Sequence, residues 1–201
     1  MLARIAYRQF HEQTNIATVT TVLLAEFGLQ GLDASQPRQD LSLHGLIQRG
    51  SYQEDRGYLL GKALRYLADA GLQWSLVHDT GRTAALRNHI RRSVPDFEFR
   101  FCHDIGSAAD PGLHLDSAFR DDARLLLVEA RQSIRGLPVH VLLVRREGGL
   151  CYVMNSHTGQ DQPYETGRLA AHLATPIGAG AVAFAGQQYL YTGVAARVWR
   201  Q

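Results

Sequence analysis

An α+β domain is the fold class this sequence predicts, on three observations. Apolar residues recur at helical spacing in Asn15 to Phe27 and again in Gly57 to Ala70. Strand-like runs gather in the second half, where Val139 to Val144 and Leu150 to Met154 flank the turn Glu147-Gly148-Gly149 as a β-hairpin. No internal repeat or low-complexity tract interrupts this order, so helices come first and an antiparallel sheet afterwards. Residues 1–201 are read as one domain, mainly helical over 1–95 and mainly sheet over 96–201.

The first helix is expected over Asn15 to Phe27 and ends at Gly28, a residue that readily takes the left-handed conformation closing a helix. Gln30 to Gln53 is polar and turn-rich, with Pro37 and Gly45 inside it and a short helix between. In the second helix, Gly57 to Ala70, Leu60, Leu64 and Leu67 share a face before the stop at Gly71. Leu72 to His78 alternates as a strand, Arg82 to Arg92 reads as a helix, and Phe97 to Cys102 alternates again. Ser107 to Gly112 is a loop of small residues around Asp110 and Pro111. A third main helix is expected over Asp121 to Ile134, closed by Gly136. After the hairpin come a short helix near Thr166 to Leu173 and strands over Gly180 to Ala185 and Gln188 to Trp199, the last bent at Gly193.

Composition narrows the function classes. With 45% hydrophobic and 20% charged residues, the chain has enough apolar surface to offset its entropy, which excludes a disordered protein. Lys and Arg number 21 against 19 Asp and Glu, a formal charge of +2 that offers no concentrated field for a nucleic acid. Apart from Lys62 every basic residue is arginine, and the pairs Arg91-Arg92 and Arg145-Arg146 read as solvated ends of a helix and a hairpin. Two cysteines, Cys102 and Cys151, are too few to staple the chain and fit a reducing compartment. Met1 to Phe10 lacks the apolar core of a signal peptide, and no apolar run approaches the roughly 20 residues of a membrane helix. The expectation is a cytoplasmic protein with no membrane span, which sequence does not separate from a secreted effector of the same fold. His11, His140, His157 and Asp161 match no compact ligand spacing, so no metal or other cofactor is expected.

Two distant segments carry the candidate chemistry. One is Gln9-Phe10-His11-Glu12-Gln13-Thr14-Asn15-Ile16-Ala17, opening the first helix; the other is the hairpin with His140 and Asn155-Ser156-His157-Thr158-Gly159. Nucleophilic catalysis of the papain type sets a nucleophile at a helix N-terminus, where the dipole stabilises a thiolate, and brings histidine and an amide or carboxylate from nearby strands. On these residues the chain resembles the cysteine peptidases that trim double-glycine leaders from bacteriocins, a bacterial family found alone or on export transporters. That family has a glutamine six positions before its cysteine and an aromatic-glycine pair closing the helix thirteen residues after it. Gln9, Asn15 and Phe27-Gly28 stand at those spacings. Its later histidine and Asp-Pro-x-x-Gly turn correspond to His140 and Asn155-Ser156-His157-Thr158-Gly159. The resemblance spans the first thirty residues and roughly residues 125 to 160.

It implies a papain-like fold, N-terminal helices packed on a C-terminal antiparallel sheet, with Gln9 donating to an oxyanion and His140 and Asn155 completing a triad. The departures fall on the chemistry: Asn15 stands where the cysteine would, Ile16 where a glycine would, Asn155 for aspartate and Ser156 for proline. An amide nitrogen is delocalised and has no useful ionisation near neutrality, so a nucleophilic mechanism at position 15 is lost. What the resemblance then implies is a degenerate peptidase that binds a peptide or protein segment in the old cleft, with an exporter or modifying enzyme acting in trans. The alternative is an active hydrolase or acyltransferase using Thr14, Cys151 or Cys102. Structural readings stand beside these: Asn15 and Thr14 as helix N-caps, His140 as a core histidine, His157 and Gly159 as turn residues, and Tyr189, Tyr191 and Trp199 as alternate packing on a sheet.

Overall fold

The computed structural model describes residues 4–9, 14–30, 52–53, 57–58, 60–90, 122–131, 139–179, 182–185 and 187–201. Helix α1 runs Asn15–Glu26, as its apolar spacing requires, and the next residues turn at Gly28 with φ +70. A two-residue ladder pairs β1 (Tyr52–Gln53) with β2 (Gly57–Tyr58), so Gly57 belongs to a strand and helix α2 is Leu60–Asp69. Strand β3 (Leu72–His78) and helix α3 (Thr80–Ile90) follow close to the predicted places. The predicted short helix after Gln30, the strand over Phe97 to Cys102, the loop over Ser107 to Gly112 and the pair Arg91-Arg92 lie outside the described residues.

The sequence expectation of a helix over Asp121 to Ile134 is overturned: Ala123–Arg131 is strand β4. It occupies the middle of the sheet, between β9 (Gln187–Arg200) and β5 (Val139–Glu147). A strand buried on both faces has no polar face to alternate with, so Leu125 to Val128 presents a continuous apolar run that periodicity cannot distinguish from a helix. The sheet has the order β3-β9-β4-β5-β6-β7, all antiparallel, with β8 (Val182–Phe184) paired to β9. Strand β6 is Leu150–Asn155, and β7 (Gln160–Glu165), which the sequence reading lacked, holds Pro163 on an edge strand, where a missing N–H costs little. Helix α4 is Thr166–Ala174.

Two apolar cores sandwich the sheet. Ile16, Val19, Leu23, Leu64 and Leu67 of α1 and α2 pack on Leu126, Val128, Val141 and Leu143. Leu169 of α4 and Phe184 pack with Leu125, Leu127, Leu142, Val144, Tyr189 and Tyr191 on the other face, the alternation two neighbouring strands demand. The bend expected at Gly193 is real: φ is +92, and a β-carbon there would stand 2.8 Å from the Asp79 carbonyl. Ladder register slips between Leu127 and Glu129, and the Thr192 hydroxyl donates to the Val128 carbonyl at 2.7 Å at the slip.

A buried ion network fixes the N-terminal strap, residues 4–9, to this frame. Glu26, at the end of α1, accepts from the Ile5 N–H at 2.9 Å and from Arg124 Nε at 2.6 Å, and pairs with Arg145. Arg145 continues to Asp161 at 2.6 Å and to the Ile5 carbonyl, and Arg4 lies over the Tyr152 ring. Arg145 is therefore a buried tie rather than the solvated hairpin end that the sequence suggested. Burying these ions is favourable only because every charge is matched. Glu26→Ala leaves Arg124 and part of Arg145 uncompensated, and denaturant unfolding should register a loss of about 3–5 kcal/mol.

Candidate functional site

Strand β5 outruns its neighbour, and the site grows from that mismatch. Leu143 pairs with Met154, so Val141 would face residue 156; but β6 stops at Asn155, where the chain turns with Gly159 N–H donating to the Asn155 carbonyl at 2.9 Å. The edge of the Val141 peptide is left without a strand. Asn15, the first residue of α1, fills it: the Val141 N–H donates to Asn15 Oδ1 at 2.7 Å, and Asn15 Nδ2 donates to the Val141 carbonyl at 3.0 Å. The second Nδ2 hydrogen goes to Ser156 Oγ at 2.8 Å. Of the two capping candidates, Thr14 is the N-cap residue, without a side-chain capping bond, whereas Asn15 lies inside the helix and its side chain is spent on the sheet.

His140 precedes Val141 and points, by strand alternation, to the face of Leu142 and Val144. Its Nε2 lies 2.9 Å from Asn155 Oδ1. Asn155 is fixed by two backbone groups: Oδ1 accepts from the His157 N–H at 3.0 Å and Nδ2 donates to the Ala185 carbonyl at 3.0 Å. An oxygen facing His140 makes Nε2 the protonated nitrogen of the neutral ring. The ring stacks on Tyr189 with centroids 5.5 Å apart at 6°, and His157 meets it edge-on at 6.4 Å. Asn15 Nδ2 lies 3.5 Å from His140 Nε2, a contact between two donors rather than a hydrogen bond.

Gln9 completes the group. Its N–H donates to the Ser156 carbonyl at 2.8 Å, and the Ser156 hydroxyl donates to Gln9 Oε1 at 2.7 Å. Gly159, with φ +72, lets the strap pass: a β-carbon there would stand 2.9 Å from Arg8 Cβ. Gln9, Asn15, His140 and Asn155 thus stand at one end of the sheet, Asn15 arriving on α1 from one face and His140 and Asn155 projecting from the other. Sequence reasoning had Ser156 only as a departure from proline in the candidate segment, and missed Tyr189 and Ala185 as parts of the site. Ala185 holds φ +50, a conformation that an alanine adopts only under constraint, and nothing in its sequence neighbourhood signals the carbonyl it offers to Asn155.

The other nucleophile candidates are not in this group. Cys151 is buried, 3.7 Å from Thr166 Oγ1, and desolvation pushes its thiol up, against the low value a nucleophile needs. It lies four residues before Asn155, about 13 Å along β6. Thr14 is buried beside Asn15, and Cys102 and His11 lie outside the described residues. Among the described residues no cluster of three or more His, Cys, Asp or Glu could hold a metal ion, and no helix is long and apolar enough to cross a membrane.

One more buried polar pair sits on the α4 side. Glu129, wholly buried, faces His172 Nε2 at 3.1 Å, with His172 stacked on Phe184 at 4.4 Å. Burial pushes the Glu129 carboxyl up, offset in part by the His172 hydrogen bond and charge and by Arg82. A native state holding its proton more tightly than the unfolded chain loses stability as pH rises above the unfolded value, about 4.3. Glu129→Gln should therefore flatten the fall in stability as pH rises above about 4.3, measured by denaturant unfolding at several pH values.

A scan of family models finds no match to this sequence, and a search of curated proteins finds none either. Among solved structures the chain is similar to a double glycine motif protease from an AMS/PCAT transporter, crystallised in complex with the leader peptide. The identity is 9%, the TM-score 0.45, and the alignment covers 100% of this chain and 94% of that one.

The Asn15 amide also sets a testable energy. Asn15→Ala leaves the Val141 N–H and carbonyl buried and unpaired, about 1–3 kcal/mol for each group. Denaturant unfolding should give a loss of about 2–5 kcal/mol, whereas an exposed asparagine would give almost none.

Proposed function

We propose that this chain is a single papain-like domain, a degenerate relative of the double-glycine leader peptidases, that binds a peptide or protein segment at the junction of α1 with β5 and β6 without cleaving it. The observation that carries the reading is the state of Asn15: every hydrogen-bonding atom of its amide is engaged, beside a histidine held by an asparagine. A cleavage site needs an electron pair aimed at a carbonyl carbon, and an amide at position 15 supplies none. Asn155 orients His140, and the ring nitrogen nearest Asn15 is the same Nε2 that donates to Asn155.

Binding survives the loss of chemistry because the groups that hold a peptide differ from the group that attacks it. The reading carries with it a cytoplasmic setting and an exporter or modifying enzyme as partner in trans. Burial of Cys151 disfavours the alternative of an active thiol hydrolase.

Restoring a thiol tests the layout. In a background with Cys102→Ser and Cys151→Ser, Asn15→Cys should be alkylated by iodoacetamide at neutral pH about tenfold faster than a free model thiol, because a helix N-terminus and an imidazolium both favour thiolate. His140→Ala should abolish the excess. A folded Asn15→Cys variant no more reactive than the model thiol contradicts the ancestral layout, and peptide hydrolysis by the unmodified chain contradicts the loss of activity.

A further inference from the structure

Asn155 orients His140 but is neutral, so it brings no charge to the ring. A carboxylate stands one strand away. Glu129 of β4 pairs in register with His140 of β5 on one side and with Tyr191 of β9 on the other, and all three side chains project to the α4 face. Opposed side chains in an antiparallel ladder have β-carbons about 5 Å apart, a range at which an opposite charge moves a titration by roughly one to three units.

Burial pushes the Glu129 carboxyl up, against ionisation, but its contacts act the other way. His172 Nε2, reaching down from α4, lies 3.1 Å from both carboxylate oxygens, the geometry of one N–H shared between two equal acceptors. A protonated carboxyl would not offer two equal acceptors, since one of its oxygens carries a hydrogen. Arg82 of α3 adds its charge from beyond Tyr191: its Nε donates to the Tyr191 carbonyl at 2.7 Å, and its guanidinium carbon lies 5.2 Å from the centre of that ring. Asp79, just before α3, accepts the Arg82 backbone N–H at 2.9 Å and takes part of that field. Burial pushes the Tyr191 phenol up, so it stays neutral. On the other side His140 meets Asn155, Tyr189 and His157.

We propose that Glu129 is a positioning residue of the candidate site: its carboxylate, divided between His172 and His140, holds the second proton on the His140 ring. Where the leader-peptidase pattern has an aspartate, this chain divides the work, with Asn155 orienting the imidazole and Glu129 supplying charge from the neighbouring strand. The assignment concerns the charge of His140 and stands whether or not a peptide binds. A carboxylate stabilises imidazolium over the neutral ring, so His140 keeps its proton to a higher pH than it would beside an uncharged residue.

Nuclear magnetic resonance of the histidine ring signals, followed against pH in the unmodified chain and in Glu129→Gln, tests the assignment. Glutamine keeps the size of the side chain and an oxygen for His172 but not the charge. The His140 midpoint should fall by about one unit in the variant, while that of the exposed His89 stays the same in both proteins. An unchanged or higher His140 midpoint overturns the proposal. The unmodified chain gives a second reading: the side-chain carboxyl carbon of Glu129 should shift at the His140 midpoint as well as with its own titration, because the two groups are coupled. A Glu129 signal that is silent at that midpoint overturns the proposal even if the variant does not fold.

Discussion

Strand β5 extends past the end of β6, and the exposed edge of the Val141 peptide has to be satisfied by something other than a strand. A buried amide N–H and carbonyl left unpaired would cost a large part of the margin on which a domain of this size is stable. Asn15 meets both groups with one side chain, imitating the backbone of the missing neighbour. That single requirement pins the start of α1 to the sheet end and brings it beside His140, which immediately precedes Val141. The site is thus a consequence of how a strand mismatch is repaired.

Other ties hold the same corner from further away. Glu26 closes α1 onto Arg124 of β4 and Arg145 of β5, and the same carboxylate takes the Ile5 N–H. The helix is therefore fastened at both ends, by neutral amide pairing at Asn15 and by matched charge at Glu26. The strap that begins at Ile5 arrives at Ser156 with Gln9 in place. On the opposite face, Tyr189 stacks on the His140 ring and the strained Ala185 supplies a carbonyl to Asn155, so the imidazole is held in both plane and tautomer. These supports come from β9 and the turn before it, far in sequence from the groups they orient.

Much of this was legible in the residues, for identifiable reasons. The hairpin at Gly148-Gly149 declares itself by a turn that needs positive φ, and α1 and α2 by apolar spacing with a glycine beyond each end. The resemblance to the double-glycine leader peptidases put Gln9, Asn15, His140 and Asn155 on one list. Strand β4 was not legible, because a central strand loses the alternation that marks a strand and Leu125 to Val128 reads equally well in a helix. The β7 strand, Gln160–Glu165, is polar and carries a proline, so its edge position had to be seen before its composition made sense. Arg145 looked like a solvated hairpin end because its matched charges, Glu26 and Asp161, come from other elements. Ser156 was hidden for a related cause: its importance lies in two partners more than a hundred residues away, and no local pattern records them.

Hydrogen exchange at the Val141 backbone N–H, followed by nuclear magnetic resonance in the unmodified chain and in Asn15→Ala, tests the central claim most directly. If Asn15 stands in for the absent strand, this amide is as protected as those of Leu143 and its ladder neighbours, and the protection collapses at Val141 alone in the variant. Equal exchange at Val141 in the two proteins would mean that the helix start does not hold the strand edge, and the account of the site would be contradicted.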